Sequence, residues 1–120
     1  MKKEKKYWLI IIILAAIVGL LMLFLNGKEA KSELILFYSD SCPHCQNVEK
    51  YINDNGVKNQ LGFQELEVSQ NKNNSALLVK KAHQCGLDVN SGIGVPFFFD
   101  GEKCLLGDQD IIAYFEKLKN

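Results

Sequence analysis

Eighteen consecutive residues, Trp8 to Leu25, are apolar if Gly19 is counted among them, and a small globular domain has no place for such a run. As a helix it spans roughly 27 Å at about 1.5 Å per residue, close to the thickness of a bilayer core. It has no polar face to turn to water, as a helix on the surface of a soluble domain would. Lys2, Lys3, Lys5 and Lys6 precede it, while only Lys28 and Lys31 follow closely, so the positive-inside bias puts the N-terminus in the cytoplasm. Tyr7 and Trp8 stand at the entry, where amphipathic rings favour the headgroup level. A cleaved signal peptide shares the charged start, but its apolar stretch is about 7 to 15 residues long and ends at a small-x-small cleavage site. The Asn26-Gly27-Lys28-Glu29-Ala30 exit offers none. The expected organisation is a cytoplasmic segment over residues 1–7, a single-pass signal anchor in the cell membrane over 8–25, a linker over 26–32 and a folded domain over 33–120 outside the cytoplasm. Cleavage would leave that domain on the same side.

Residues 32–120 carry eight Lys, no Arg and twelve acids, a net negative charge that argues against a nucleic-acid partner. The stretch suffices for one small domain and not for two. Leu34 to Tyr38 reads as a buried strand, ending at the polar turn Ser39-Asp40-Ser41. Pro43 suits the first position of a helix to Asn55, with Val48, Tyr51 and Ile52 on one face and Gly56 as its stop. Phe63 to Val68 alternate as a second strand with one rather polar face, and Ser69 to Asn74 read as a loop. Ser75 is expected to cap a helix to Cys85, with Leu78, Ala82 and Cys85 on its apolar stripe and Gly86 beyond it. Phe97-Phe98-Phe99 and Lys103-Cys104-Leu105 flank the hairpin signal Asp100-Gly101-Glu102. Asp108 is expected to cap a last helix bearing Ile111, Ile112, Tyr114, Phe115 and Leu118. The predicted order is β-α-β-α-β-β-α, an α/β domain.

Chemistry concentrates at Cys42-Pro43-His44-Cys45. The strand-to-helix turn puts Cys42 at a helix N-terminus, where unpaired amides and the positive end of the dipole stabilise a thiolate, and His44 can add positive charge or a hydrogen bond. Cys45, one turn on, is close enough to close a ring with Cys42 and release a bound partner. Such a pair can cycle between dithiol and disulfide with no other cofactor.

At this point the chain resembles the thioredoxin-like superfamily over most of residues 33–118. Three separated stretches carry the resemblance: Phe37 to Cys45 after a buried strand, Gly94-Val95-Pro96, and Gly107-Asp108-Gln109-Asp110 before the last helix. By length and element order the domain is most similar to glutaredoxins, whereas the Pro43-His44 dipeptide matches the DsbA-type oxidases. The resemblance implies a mixed four-stranded sheet flanked by helices, Cys42 as attacking and Cys45 as resolving thiol, a cis Pro96 opposite them, and Val95 offering its backbone to an extended substrate. It departs from the pattern at Leu36, where many thioredoxins and DsbA-type proteins carry a buried acid that helps move protons. The chain lacks Arg, and the basic residues with which glutaredoxins hold glutathione are not identifiable, which argues against dependence on glutathione.

Other readings stand beside this one. A Cys-x-x-Cys pair can be half a zinc site completed by Cys85 and Cys104 or by His44 or His83, but zinc ribbons repeat the closely spaced pair and this chain does not. No metal is therefore expected. Cys85 and Cys104 are either two inert core thiols or a second disulfide. His83 is expected to face water, Lys80-Lys81 to form a wet helix face, and Phe97 to Phe99 to belong to a central strand. The function expected is a membrane-anchored thiol-disulfide oxidoreductase, acting on cysteine-containing proteins, served by a membrane redox partner, and donating disulfides because His44 favours the reduced form. The alternatives are a reductase or isomerase, and a non-catalytic thioredoxin-like binding module that presents a peptide groove or holds zinc.

Overall fold

Two short strands with large apolar side chains on both faces decide how the layers stack. The computed structural model describes residues 2–25 and 33–120; Met1 and the expected linker 26–32 lie outside the described residues. The chain forms two units, residues 1–31 and residues 32–120. The first contains one helix, α1 (Lys2–Leu25), with no buried residue, long and apolar enough to cross a membrane.

The second unit contains β1 (Ile35–Tyr38), α2 (Pro43–Asn55), α3 (Val57–Leu61), β2 (Gln64–Glu67), α4 (Lys72–Gln84), β3 (Phe97–Phe99), β4 (Cys104–Leu106) and α5 (Asp108–Lys119). The strands form one mixed sheet in the order β2-β1-β3-β4. β1 runs parallel to β2, with Leu36 opposite Glu65, and antiparallel to β3, with Leu36 opposite Phe98. β4 returns antiparallel to β3 through the expected hairpin, in which the Asp100 carboxylate accepts from the amides of Glu102 and Lys103. The result is a mixed four-stranded sheet with helices on both faces, the architecture expected from the resemblance.

Successive strand residues point to opposite faces, and both faces are apolar. Leu36 and Phe98 join Val48, Ile52, Val57, Phe63, Ile111 and Phe115 in a core beneath α2, α3 and α5. There the Phe98 ring meets Phe63, Tyr114 and Phe115 at centroid distances of 5.8, 5.6 and 5.1 Å. Ile35, Phe37, Phe97 and Phe99 form the opposite core with Leu78 and Ala82 of α4. All three residues of Phe97–Phe99 are buried; at about 1.5 to 3 kcal/mol for each fully buried large side chain, they supply much of the driving force that holds the layers together.

Several boundaries differ from expectation for local physical reasons. Gly56 ends α2 with φ 63°, a conformation a side chain would strain, and its amide bonds the Ile52 carbonyl. The chain then starts a further short helix, α3, closed by Gly62, so the domain has one more helix than the expected order. Asn71, not Ser75, caps α4: its side-chain oxygen accepts from the amides of Asn73 and Asn74, which turns the end of the expected loop into the first helical turn. Lys81 does not lie on a wet face. Its side chain is 9% exposed, its Nζ lies 2.6 Å from Glu33 Oε2, and it stands 4.6 Å above the centre of the Phe99 ring. His83 is exposed, as expected.

Candidate active site

Cys42 occupies the N-cap of α2, a position where Ser, Thr, Asp or Asn normally offers an oxygen to the free amides of the first turn. Here a sulfur does so. Cys42 Sγ accepts from the Cys45 amide at 3.2 Å, and Pro43 follows at the first helical position, where its missing N–H costs no hydrogen bond. The Cys42 amide bonds the Ser39 carbonyl at 3.1 Å, closing the turn that joins β1 to α2. The helix start thus aims an amide at the sulfur atom that would carry charge during exchange.

The two sulfur atoms stand in different surroundings. Cys42 is partly exposed and Cys45 is buried, and both are free thiols. Burial, reinforced by a hydrogen bond with the Cys42 side chain, pushes the Cys45 thiol up to about 12. An outer thiol open to a partner and an inner thiol kept protonated are the arrangement in which the outer one reacts first.

Opposite them lies the turn before β3. The Val95-Pro96 peptide bond is cis, Pro96 is buried, and the Cys42 thiol donates to the Val95 carbonyl at 3.5 Å. The fold therefore brings Val95 and Pro96 to the dithiol from 53 residues away along the chain. Pro43 and His44 flank it on the exposed side.

Two further residues complete the surroundings, and neither was singled out for the site by the sequence. Asp108 was expected to cap α5. Gly107 holds the cap position instead, and Asp108, the first residue of the helix, sends Oδ2 across to the active-site helix. That oxygen accepts from Asn47 Nδ2 at 2.8 Å and lies 3.1 Å from His44 Nδ1. The Asn47 and His44 hydrogen bonds, in that order, hold the Asp108 carboxyl below the usual carboxylate range. The signal was present in the Gly107-Asp108 stretch, but its partners are 61 and 64 residues away, beyond the reach of a local reading.

Cys85 and Cys104 lie apart from this cluster and are bonded to each other, with their Cα atoms 6.1 Å apart. The bond ties the C-terminal end of α4 to the first residue of β4. Neither sulfur is then a free thiolate that could complete a metal site with Cys42 and Cys45, and among the described residues no cluster of His, Cys, Asp and Glu is suited to hold a metal ion.

No protein-family model matches the chain. Nor does any curated protein. Among solved structures, the oxidised form of glutaredoxin 2 from Chlamydomonas reinhardtii is similar, with 19% sequence identity, a TM-score of 0.48, and coverage of 71% of this chain and 72% of that one.

Proposed function

We propose that this chain is a thiol-disulfide oxidoreductase, held at the membrane by residues 8–25 with its domain outside the cytoplasm, which exchanges disulfides with cysteine-containing proteins. One observation carries the reading: a partly exposed, free Cys42 at the N-cap of α2, receiving the amide of a buried Cys45 one turn behind it. Cys42 forms a mixed disulfide with the substrate, and Cys45 resolves it. No cofactor beyond the dithiol-disulfide couple is called on. Val95, whose carbonyl already bonds Cys42, offers the substrate a backbone partner beside Pro96.

The helix N-terminus and the His44 imidazole both favour the reduced state of the pair, which makes its disulfide a good one to give away. The direction assigned is therefore donation, with re-oxidation by a membrane redox partner. A potential near or above roughly −180 mV in the full chain is the expected result, and one near roughly −270 mV would make the protein a reductase fed with electrons across the membrane.

The decisive test is trapping. Full-length Cys45→Ser, quenched with acid and run without reductant, is expected to carry partner proteins in mixed disulfides, and Cys42→Ser to carry none. Partners that co-purify equally with both variants and without a covalent bond would establish a binding module instead.

A further inference from the structure

The inner thiol poses a problem that Cys42 does not solve. Cys45 is 5% exposed, and its burial, the first cause of its raised value, persists when Cys42 is bonded to a partner, so at pH 7 only a small fraction carries the thiolate that resolution requires. Without a base nearby, the mixed disulfide would wait on that fraction. Leu36 offers no proton acceptor.

The structure supplies one from the neighbouring strand. A cavity of about 50 Å³ borders Cys45, lined by Leu36, Tyr38, Glu49 and Glu65, and a space of that size admits water. Glu65 pairs with Leu36 across the parallel β1-β2 ladder, so both side chains lie on the same face of the sheet. Its carboxylate is held by an ion pair with Lys58 of α3, and its side chain is 25% exposed. Glu49, on α2, is exposed and has no comparable tether among the described residues. Tyr38 completes the wall. Burial first, then the charges of Asp40, Glu65, Glu67 and Glu49, raise its hydroxyl above the ordinary tyrosine value, so it stays a neutral donor.

We propose that Glu65, held in place by Lys58, exchanges the Cys45 proton through water in this cavity. The inference rests on the disulfide-exchange reading above. When the reduced protein attacks a disulfide, the Cys42 thiolate bonds to one of its sulfurs, the partner's S–S bond breaks, and the other sulfur leaves as a thiolate. Cys45 then gives its proton by way of water to the Glu65 carboxylate, and its sulfur attacks Cys42 Sγ. The Cys42–Cys45 bond forms, the bond from Cys42 to the partner breaks, and the partner leaves as a thiolate that takes up a proton. In the donating direction the same proton returns from Glu65 to the departing Cys45 sulfur. The groups that face Glu65 are Lys58 from α3, Tyr38 from β1, and Glu49 and Cys45 from α2.

The reduced full chain in detergent micelles, mixed with one equivalent of dithionitrobenzoate, separates the two steps. Attack by Cys42 releases a first coloured thiolate, and attack by Cys45 releases a second. Glu65→Gln is expected to leave the first release unchanged and to slow the second by about tenfold or more at pH 7, with the mixed disulfide seen by mass spectrometry after acid quench. The deficit should shrink as pH rises and the Cys45 thiolate forms unaided, and Glu65→Asp should restore part of the rate. An unchanged second release, a deficit equal at all pH values, or a deficit that follows Glu49→Gln instead would overturn the assignment. Should Glu65→Gln fail to fold, the unmodified chain decides: a solvent deuterium slowing confined to the second release is expected, and its absence overturns the proposal. If the unmodified chain releases nothing through Cys42, the functional reading itself fails and the proton assignment falls with it.

Discussion

The domain holds two pairs of cysteines built to opposite ends. Cys42 and Cys45 are three residues apart on one helix start, unbonded, one partly open and one buried. Cys85 and Cys104 are 19 residues apart, bonded, and set between the end of α4 and the edge strand β4. The first pair constrains almost no chain when it closes, so its state can change without disturbing the fold. The second closes a loop that contains β3 and the hairpin turn after it, so its state belongs to the fold. The contrast locates reactivity in the sulfur whose surroundings are polar and local, and stability in the pair that spans a long stretch of chain.

The sharpest way to break this contrast is alkylation of the reduced dithiol. With its thiol pushed up to about 12, Cys45 should react with iodoacetamide at pH 8 about three orders of magnitude more slowly than an unperturbed cysteine. Its rate should rise about tenfold per pH unit until it levels near pH 12. Cys42 should be labelled first in peptide mapping by mass spectrometry, and Cys85 and Cys104 should not be labelled without reductant. Labelling of Cys45 at the rate of a free thiol would show that the inner position is open.

Next in size is removal of the second pair. Cys85→Ala combined with Cys104→Ala should cost about 3 kcal/mol in urea unfolding, the value for releasing a loop of roughly 20 residues, while disulfide exchange at Cys42 proceeds unchanged. A loss of exchange rate in a folded variant would make the two pairs one system. Lys81, one helical turn before Cys85, gives a smaller effect on the same side of the sheet. Lys81→Ala loses the Glu33 partner and the contact with the Phe99 ring, an expected loss of about 1 to 2 kcal/mol by urea titration, again without change in exchange.

The smallest effect belongs to Asp108. Its carboxyl sits below the usual range in the folded protein, so its contribution is present above the unfolded value of about 3.9 and lost as pH falls through the lower folded value. Asp108→Asn should lower Tm slightly at pH 7, and the gap between variant and parent should close in acid. A gap that persists below about pH 3 would trace the loss to packing instead.

Much of this was legible in the sequence because the signals were local. The Cys42-to-Cys45 spacing, Pro43 at the helix start and the Gly56 stop each act within one turn of helix, and Asp100-Gly101-Glu102 closes its hairpin with its own side chain. What escaped needed a distant partner. Lys81 looks like any surface lysine until Glu33 and the Phe99 ring are brought to it from elsewhere in the domain. Asp108 carries the residue type of a cap, and only tertiary packing turns it towards Asn47 and His44. The polar face of Phe63 to Val68 was visible, but nothing in the alternation says that Glu65 would border the cavity beside Cys45. Cys85 and Cys104 likewise left two readings open until α4 and β4 were placed side by side.

The reach of Asp108 also bears on the order of events during synthesis. Its partners His44 and Asn47 leave the ribosome more than 60 residues earlier, so these contacts must wait until α5 has emerged. A nascent domain already displays its dithiol, with Cys85 and then Cys104 still to follow, before the 12 residues of α5 have docked. During that interval the thiols are present without their finished setting and are open to wrong pairings among the four. The electrostatic surroundings of the reactive pair thus depend on α5, because only a domain in which that helix has docked has them.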